Sequence, residues 1–351
     1  MKLLLTGGCG FIGSAVVRHL MRRSDHVVIN VDKLTYAASE EALEEAGGHR
    51  RHVLIRADIA DAAAMRQVFT THQPDAVMHL AAESHVDRSI DGPAAFIETN
   101  VVGTFTLLEA ARQYHAAMAP ARRAAFRFHH ISTDEVFGAL GRDDPPFDET
   151  TRYDPRSPYA ASKAASDHLV RAWFHTYRLP TILSNTANNY GPWQFPEKLI
   201  PLVTLNALEG KPLPVYGDGS NRRDWIFVED HAFALVRVLE QGEPGATYAI
   251  GARQPRGNLE VVRAICTELD RRLPDPAGPR ERLIRFVTDR PGHDFRYEID
   301  PTRTEAALAF TAPHDFEAGL ARTIDWYLAH RDWWQAVRAR RYAGERLGTA
   351  A

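Results

Sequence analysis

The chain has 351 residues, 44% of them hydrophobic, with 42 basic and 45 acidic side chains for a formal net charge of −3. That length suits one large α/β unit with an appended lobe, and the small charge gives no electrostatic reason to expect a nucleic-acid or membrane partner. No apolar run approaches a membrane span, and the amino terminus enters a strand at once, leaving no room for a signal peptide.

Residues 2–6, Lys-Leu-Leu-Leu-Thr, form a short apolar run that reads as a strand. It leads into Gly7-Gly8-Cys9-Gly10-Phe11-Ile12-Gly13, where Gly8, Gly10 and Gly13 fit the dinucleotide fingerprint literally and Gly7, Gly10 and Gly13 fit its wider variant. Such glycines permit a tight turn and close backbone approach to a pyrophosphate, which rests on the amino end of the following helix, 12–22. A second strand over 27–31 ends in Asp32, about twenty residues on, as that fingerprint requires. Asp32 is placed to accept hydrogen bonds from the adenosine ribose and to repel a 2′-phosphate, which favours NAD over NADP, although Lys33 beside it weakens the preference. A strand over 53–56 before Asp58-Ile59, a helix over 62–71, a strand over 76–80 and a helix over 94–113 continue the alternation expected of a doubly wound parallel sheet. The stretch 116–125, rich in Ala and Arg, reads as a surface insertion with Arg122 and Arg123 in solvent.

The apolar run 126–131 reads as a buried strand, so the carboxylates of Ser132-Thr133-Asp134-Glu135-Val136-Phe137-Gly138 emerge at its carboxyl end. His129 and His130 read as strand residues packed beside the sheet, and no metal-ligand spacing occurs in the chain. Pro158-Tyr159-Ala160-Ala161-Ser162-Lys163 opens a helix, since Pro suits the first turn and good helix formers follow. Tyr159 and Lys163 then share one helix face, and an ammonium group beside a phenol favours the phenolate. Each motif has an ordinary alternative: an exposed Tyr-x-x-x-Lys pair, a solvated Asp-Glu loop or cap. The glycine loop with Asp32 is the independent signal that favours chemistry, and the Asp134-Glu135 pair is more acid–base equipment than a simple dehydrogenase needs.

From Asn185 the alternation breaks and Pro, Gly and aromatic residues become frequent. The expected architecture is a Rossmann-type α/β domain over 1–184, followed by 185–351 as mainly a substrate-binding lobe interleaved with the last sheet elements. Cys9 lies in the glycine loop and Cys266 in a helical pattern, so no disulfide is expected, in keeping with a cytoplasmic location.

These motifs resemble the extended short-chain dehydrogenase/reductases and, within them, the dTDP-glucose 4,6-dehydratase family. The resemblance runs from 6–14 through Asp32-Lys33-Leu34-Thr35-Tyr36 and 79–89 to Asp325-Trp326-Tyr327-Leu328; its most specific parts are 132–138, 188–201, 217–231 and 289–294. Epimerase relatives carry small or apolar residues in place of Asp134-Glu135. Departures are Phe137 where Tyr is common, Ala187 where Ser is usual, and the segment 37–49; none removes a titratable catalytic group.

The resemblance implies an NAD site formed by Gly7, Gly10, Phe11, Ile12, Gly13, Asp32, Lys33, Leu34, Thr35, Asp58, Ile59, Leu80, Ala81, Ala82, Ser84, Thr99, Tyr159, Lys163 and Asn189. It implies oxidation of sugar carbon 4, elimination of water across carbons 5 and 6, and hydride return to carbon 6. In that scheme Tyr159 takes the 4-hydroxyl proton, Lys163 lowers the phenol's pKa, and Thr133 holds the 4-oxygen. Glu135 removes the carbon-5 proton and Asp134 protonates the leaving hydroxyl. Ser84 and Thr133 would meet the sugar, Asn188 and Arg223 the diphosphate, and Lys198 and Leu199 the nucleotide. Pro214 and Tyr216 would pack on the thymine, with Asn258, Arg290 and His293 completing the pocket. A homodimer is implied as well, paired through the helices 94–113 and 159–177, which carry more apolar residues than one sheet-facing stripe needs. The alternatives are a 4,6-dehydratase of another nucleotide-sugar, a related epimerase or decarboxylase, and a non-catalytic NAD-sensing protein; such proteins typically lose the Tyr and Lys.

Overall fold

The architecture follows from strands too apolar to show one face to water, as a computed structural model describing residues 1–44, 46, 49–289, 292–345 and 347–348 shows. The first half contains β1 (Lys2–Thr6), α1 (Phe11–Arg23), β2 (Val27–Asp32), β3 (His52–Arg56), α2 (Ala62–His72) and β4 (Ala76–His79). It continues through α3 (Val86–Asp91), α4 (Pro93–Phe96), α5 (Thr104–Ala117), α6 (Pro120–Ala125), β5 (Arg127–Ile131), α7 (Pro158–Tyr177) and β6 (Thr181–Thr186). Along β1, Leu3 and Leu5 enter one buried cluster and Leu4 enters another, so both faces of the sheet are covered by helices. Each such fully buried leucine contributes about 1.5–3 kcal/mol of transfer free energy. A charged residue in place of Leu4 would strand an unpaired charge between the sheet and its helices.

The second half adds β7 (Asn188–Tyr190), α8 (Leu199–Leu208), β8 (Leu213–Tyr216), β9 (Arg222–Phe227), α9 (Val228–Gln241) and β10 (Thr247–Ile250). After these come β11 (Pro255–Gly257), α10 (Asn258–Arg272), β12 (Ile284–Val287) and β13 (Arg296–Tyr297). The main sheet has seven strands in the order β10-β6-β5-β4-β1-β2-β3, all parallel. The strand order reverses between β1 and β4, the place where ligands bind in open α/β sheets. β10 returns to this sheet beside β6 after the excursion through β7–β9, so the second half interleaves with the first. The lobe has its own core around Ile200, Val203, Trp225, Phe227, Val261 and Ile265.

Two sequence expectations change in detail. The helix expected over 94–113 is α4, then a seven-residue π-helical stretch (Ile97–Gly103), then α5. A widened turn of this kind re-aims side chains, and here Thr99 faces the cleft while Asn100 Nδ2 donates to Ser162 Oγ at 2.9 Å. Arg122 and Arg123 are tethered at the surface: Arg122 donates to Asp75 Oδ1 at 2.7 Å, and Arg123 to the Met118 carbonyl at 2.8 Å. His129 and His130 are buried in β5, with His129 Nε2 3.0 Å from Ser184 Oγ. Cys9 and Cys266 are free and buried. Among the described residues no helix is long and apolar enough to cross a membrane.

Candidate active site

The carboxyl ends of β1, β2, β4 and β5 open onto a cleft of about 450 Å³, whose far wall comes from the lobe. At its cofactor end, Gly7 has φ +77° and its N–H donates to the Val31 carbonyl at 2.8 Å, which starts the turn into α1. A Cβ on Gly13 would lie 2.1 Å from the Gly7 carbonyl oxygen, so α1 packs against the loop only without a side chain there. Gly7, Gly10, Phe11, Ile12 and Gly13 line the cleft. Gly8 faces inward, its α-carbon packed against Asn30, so the wider glycine spacing is the one that meets the cavity.

Asp32 ends β2 with its carboxylate accepting from the N–H of Cys9 at 2.9 Å and of Leu34 at 2.8 Å. Burial pushes its pKa up while those two donors pull it down. Lys33 Nζ is held 3.3 Å from both Asp58 Oδ2 and Thr99 Oγ1. Lys33, Thr35, Ile59, Leu80, Ala81, Ala82, Ser84, Thr99 and Asn189 are on the wall. Leu34 and Asp58 are behind it: Leu34 packs on the core, and Asp58 anchors Lys33 and caps Ala60 N–H at 2.9 Å.

After β5 the chain makes a short 3-10 turn over Asp134–Phe137, capped by Thr133 Oγ1, which accepts from the Glu135 N–H at 3.2 Å. This cap puts the two carboxyls of consecutive residues in different surroundings. Asp134 is buried: the Thr133 hydroxyl donates to its Oδ1 at 3.3 Å, and Oδ2 lacks a hydrogen-bond partner among the described atoms. Burial first, and then the neighbouring Glu135 charge, push its pKa well above the usual carboxylate range, which favours the protonated form. Glu135 is only partly buried. Two adjacent carboxyls in different surroundings are the kind of pair that can divide acid and base roles.

Facing this turn, α7 begins with Ser157 accepting from the Ala160 N–H at 3.0 Å and Pro158 in the first turn. Tyr159 and Lys163 project into the cleft from one helix face. Lys163 Nζ donates to the Ile131 carbonyl at 2.8 Å, and burial lowers its pKa to about 8. Burial first, and then Glu135, push the Tyr159 pKa upward, with a Thr133 hydrogen bond opposing them. These side chains by themselves keep the phenol protonated at neutral pH.

On the lobe side, Arg223 is buried. Its guanidinium lies 4.3 Å over the Tyr297 ring and donates to the Asp294 carbonyl at 2.9 Å. Asn188, Leu199, Pro214 and Asn258 share this wall, with Lys198 Nζ donating to the Ser84 carbonyl at 2.9 Å. Tyr216 and His293 meet edge to face at 6.1 Å, and His293 Nδ1 is 2.6 Å from Asp289 Oδ1. Arg290 lies outside the described residues.

Sequence reasoning missed the group that joins the two sides. Glu197, buried on the lobe, takes a hydrogen bond from the Tyr36 hydroxyl at 2.9 Å and pairs with Arg88 Nε at 2.7 Å. His85, which caps α3, sets its Nε2 3.2 Å from the Glu197 carbonyl. The only sequence signal for Tyr36, His85 and Arg88 is their presence within two of the matched stretches, 32–36 and 79–89.

Comparison with known proteins agrees with this geometry. A model of the GDP-mannose 4,6 dehydratase family matches residues 4–323. The dTDP-glucose 4,6-dehydratase of Escherichia coli is 56% identical over 99% of this chain and 99% of that protein. That of Neisseria meningitidis is 57% identical, with the same coverage of both. Among solved structures, a dTDP-glucose 4,6-dehydratase from Streptomyces venezuelae with NAD bound superposes at a TM-score of 0.88, with 40% identity over 96% of this chain and all of that one. A UDP-glucose 4-epimerase from Thermus thermophilus, also with NAD, reaches 0.82 at 27% identity, covering 94% of this chain and 100% of that one.

Proposed function

For a chain that belongs to the GDP-mannose 4,6 dehydratase family, we propose the reaction of its full-length relatives: conversion of dTDP-glucose to dTDP-4-keto-6-deoxyglucose and water, with NAD as a bound cofactor. The observation that carries the reading is the buried Asp134 beside the partly exposed Glu135, both lining the cleft with Tyr159. An epimerase has no use for that second acid–base pair.

The residues at the cofactor end fit a dinucleotide. The Gly7–Gly13 cradle has no room for side chains at its closest approach, and the Asp32 carboxylate ends β2 where an adenosine ribose would meet it. When bound, NAD would supply the acceptor for the carbon-4 hydrogen, the donor that returns it to carbon 6 and, in its oxidised form, positive charge. Tyr159 takes the 4-hydroxyl proton, Lys163 stabilises the resulting phenolate, and the Thr133 hydroxyl orients the 4-oxygen. The 4-ketone makes the carbon-5 hydrogen acidic, and Glu135 removes it. Asp134 gives its proton to the departing 6-hydroxyl, which leaves as water. With carbon 5 reprotonated at Glu135, the cofactor ends each cycle as it began and the net reaction is a hydro-lyase reaction. Arg223 and Asn188 would meet the diphosphate, with Lys198 and Leu199 along the nucleotide. Pro214, Tyr216, Asn258 and His293 would surround the base, since a pyrimidine wants flat apolar contact and a diphosphate wants a cation.

A homodimer belongs to the same proposal. Ile97, Val102, Phe105 and Tyr177 are exposed large apolar side chains on the π-helical stretch, α5 and the end of α7. Phe105 packs edge-on against Trp173 at 5.9 Å, so the two helices present one continuous apolar face.

Incubating the purified protein with dTDP-, UDP- and GDP-glucose tests the reading. The 4-keto-6-deoxy product is expected from dTDP-glucose without added NAD. Stoichiometric consumption of NAD, or no product from any donor, would overturn it.

A further inference from the structure

The face of α7 that carries Tyr159 and Lys163 carries one more ionisable side chain, and the chemistry above leaves it without a role. Asp167 follows Lys163 by one helical turn and is fully buried. The Ser132 hydroxyl donates to its Oδ2 at 2.7 Å and the Tyr153 hydroxyl at 3.0 Å, with Asn185 Nδ2 at 3.4 Å. Its Oδ1 lies 3.1 Å from His130 Nε2. A buried carboxylate is costly unless its neighbours compensate it, and here the compensating groups lead directly into the site. Ser132 immediately precedes Thr133. Asn185 Nδ2 also donates to the Thr133 carbonyl at 3.1 Å, and the Thr186 hydroxyl to the Ser132 carbonyl at 3.1 Å. On the other side, Lys163 Nζ reaches the Ile131 carbonyl at 2.8 Å. One carboxylate therefore joins the helix bearing Tyr159 and Lys163 to the strand end bearing Thr133, Asp134 and Glu135.

We propose that Asp167 is a positioning residue: the buried counter-ion of Lys163, and the tie that holds the two halves of the catalytic machinery in register. Its kinetic consequences rest on the dehydratase reading; its electrostatic consequence does not.

The titratable and charged groups around Asp167 are Tyr159, Lys163 and Arg171 on its own helix, His130 on β5 and Tyr153 from the preceding loop; burial raises the Asp167 pKa, and Lys163 first, then its hydrogen-bond donors, oppose that. His79 on β4 stands behind His130 at 5.1 Å between ring centroids. Burial keeps both histidines neutral, and the charge of Lys163 adds to that effect. Burial also pulls Lys163 down to about 8, with Asp167 opposing it. A neutral residue at 167 removes the opposition, so the lysine loses its proton at lower pH. If Lys163 works as a cation, the alkaline limb of the activity profile moves down with it.

The test is Asp167→Asn, which keeps the shape and removes the charge. The protein carries 13C-labelled lysine, and the Lys163 resonance is identified by its loss in Lys163→Met; the other lysines are Lys2, Lys33, Lys198 and Lys211. The expected result is a Lys163 titration midpoint lower by about 1 unit or more. The alkaline limb of kcat should fall by the same amount, with KM changed less than threefold, because Asp167 is not on the cleft wall. An unmoved midpoint overturns the proposal, whatever happens to activity. Tyr153→Phe keeps the carboxylate but removes one of its donors, so it should move the midpoint in the same direction by less; it decides the matter if Asp167→Asn does not fold. A wild-type protein that dehydrates no nucleotide-glucose would end the dehydratase reading while leaving the titration result to stand or fall by itself.

Discussion

Asp134→Asn exchanges one oxygen for an amide in a side chain that is 1% exposed, and the structure gives that change opposite effects on stability and rate. The protonated carboxyl is favoured in the folded protein, because burial and the Glu135 charge disfavour its anion. Its folded pKa lies above its unfolded value, so the folded state binds the proton more tightly. The stability this group provides is therefore fully present below the unfolded pKa and is lost as pH rises toward the folded one. An amide at this position titrates nowhere and carries no such loss. It also keeps an oxygen to accept from the Thr133 hydroxyl, a 3.3 Å contact whose loss would cost only about 1 kcal/mol. The variant should thus melt at or above the wild-type temperature at neutral pH. As an acid it is useless: a positioned proton donor is worth about 10²–10⁴ in rate, or roughly 3–5 kcal/mol of barrier at 1.36 kcal/mol per decade. Product formation should fall by that factor while carbon-5 exchange with deuterated water continues, since Glu135 is untouched. Calorimetry and a discontinuous product assay with mass-resolved exchange measure all three quantities. A rate loss below tenfold, or exchange lost in step with product, would refute the assignment of Asp134 as the acid.

Glu135→Gln should invert that pattern, abolishing carbon-5 exchange along with product formation; normal exchange would move the base to Asp134 or a water. Tyr159→Phe should block the first oxidation, so neither exchange nor product appears when dTDP-glucose is added, and single-turnover analysis by mass spectrometry checks this. Gly13→Ala places a Cβ 2.1 Å from the Gly7 carbonyl oxygen, so the loop must shift; the purified variant should contain less than a tenth of the wild-type NAD by extraction and quantitation. Phe105→Glu puts a charge in the exposed apolar face formed with Trp173 and Tyr177, and light scattering at micromolar concentration should report a dimer for the wild type and a monomer for the variant.

The parts of the site legible in the sequence are those whose geometry is local. The glycine loop, Asp32 at the end of a strand, the carboxylates after a strand and the i, i+4 pair on a helix all depend on short-range periodicity and turn chemistry, which adjacent residues dictate. The π-helical stretch Ile97–Gly103 escaped because nothing in Ile-Glu-Thr-Asn-Val-Val-Gly distinguishes a wide turn from an ordinary one. It is held by tertiary contacts, Asn100 to Ser162 and to the Glu83 carbonyl at 2.9 Å each. Glu197 escaped for the same reason: its partners Tyr36 and Arg88 are more than a hundred residues away in sequence, and only the folded chain brings them to one point.

The ionisation states were the least legible feature, and they carry the chemistry. Asp134 and Glu135 are adjacent and nearly identical in composition, so spacing could nominate the pair but could not say which is the acid. The 3-10 turn sets them apart, burying the Asp134 carboxyl and leaving Glu135 only partly buried. Tyr159 shows the converse: the i, i+4 spacing to Lys163 says nothing of the burial, or of the three carboxyl neighbours Glu135, Asp134 and Asp167, that push its pKa up. On the proposed reading, a bound oxidised cofactor would add positive charge that favours the phenolate, which would tie proton removal from the 4-hydroxyl to the state that can accept the carbon-4 hydrogen.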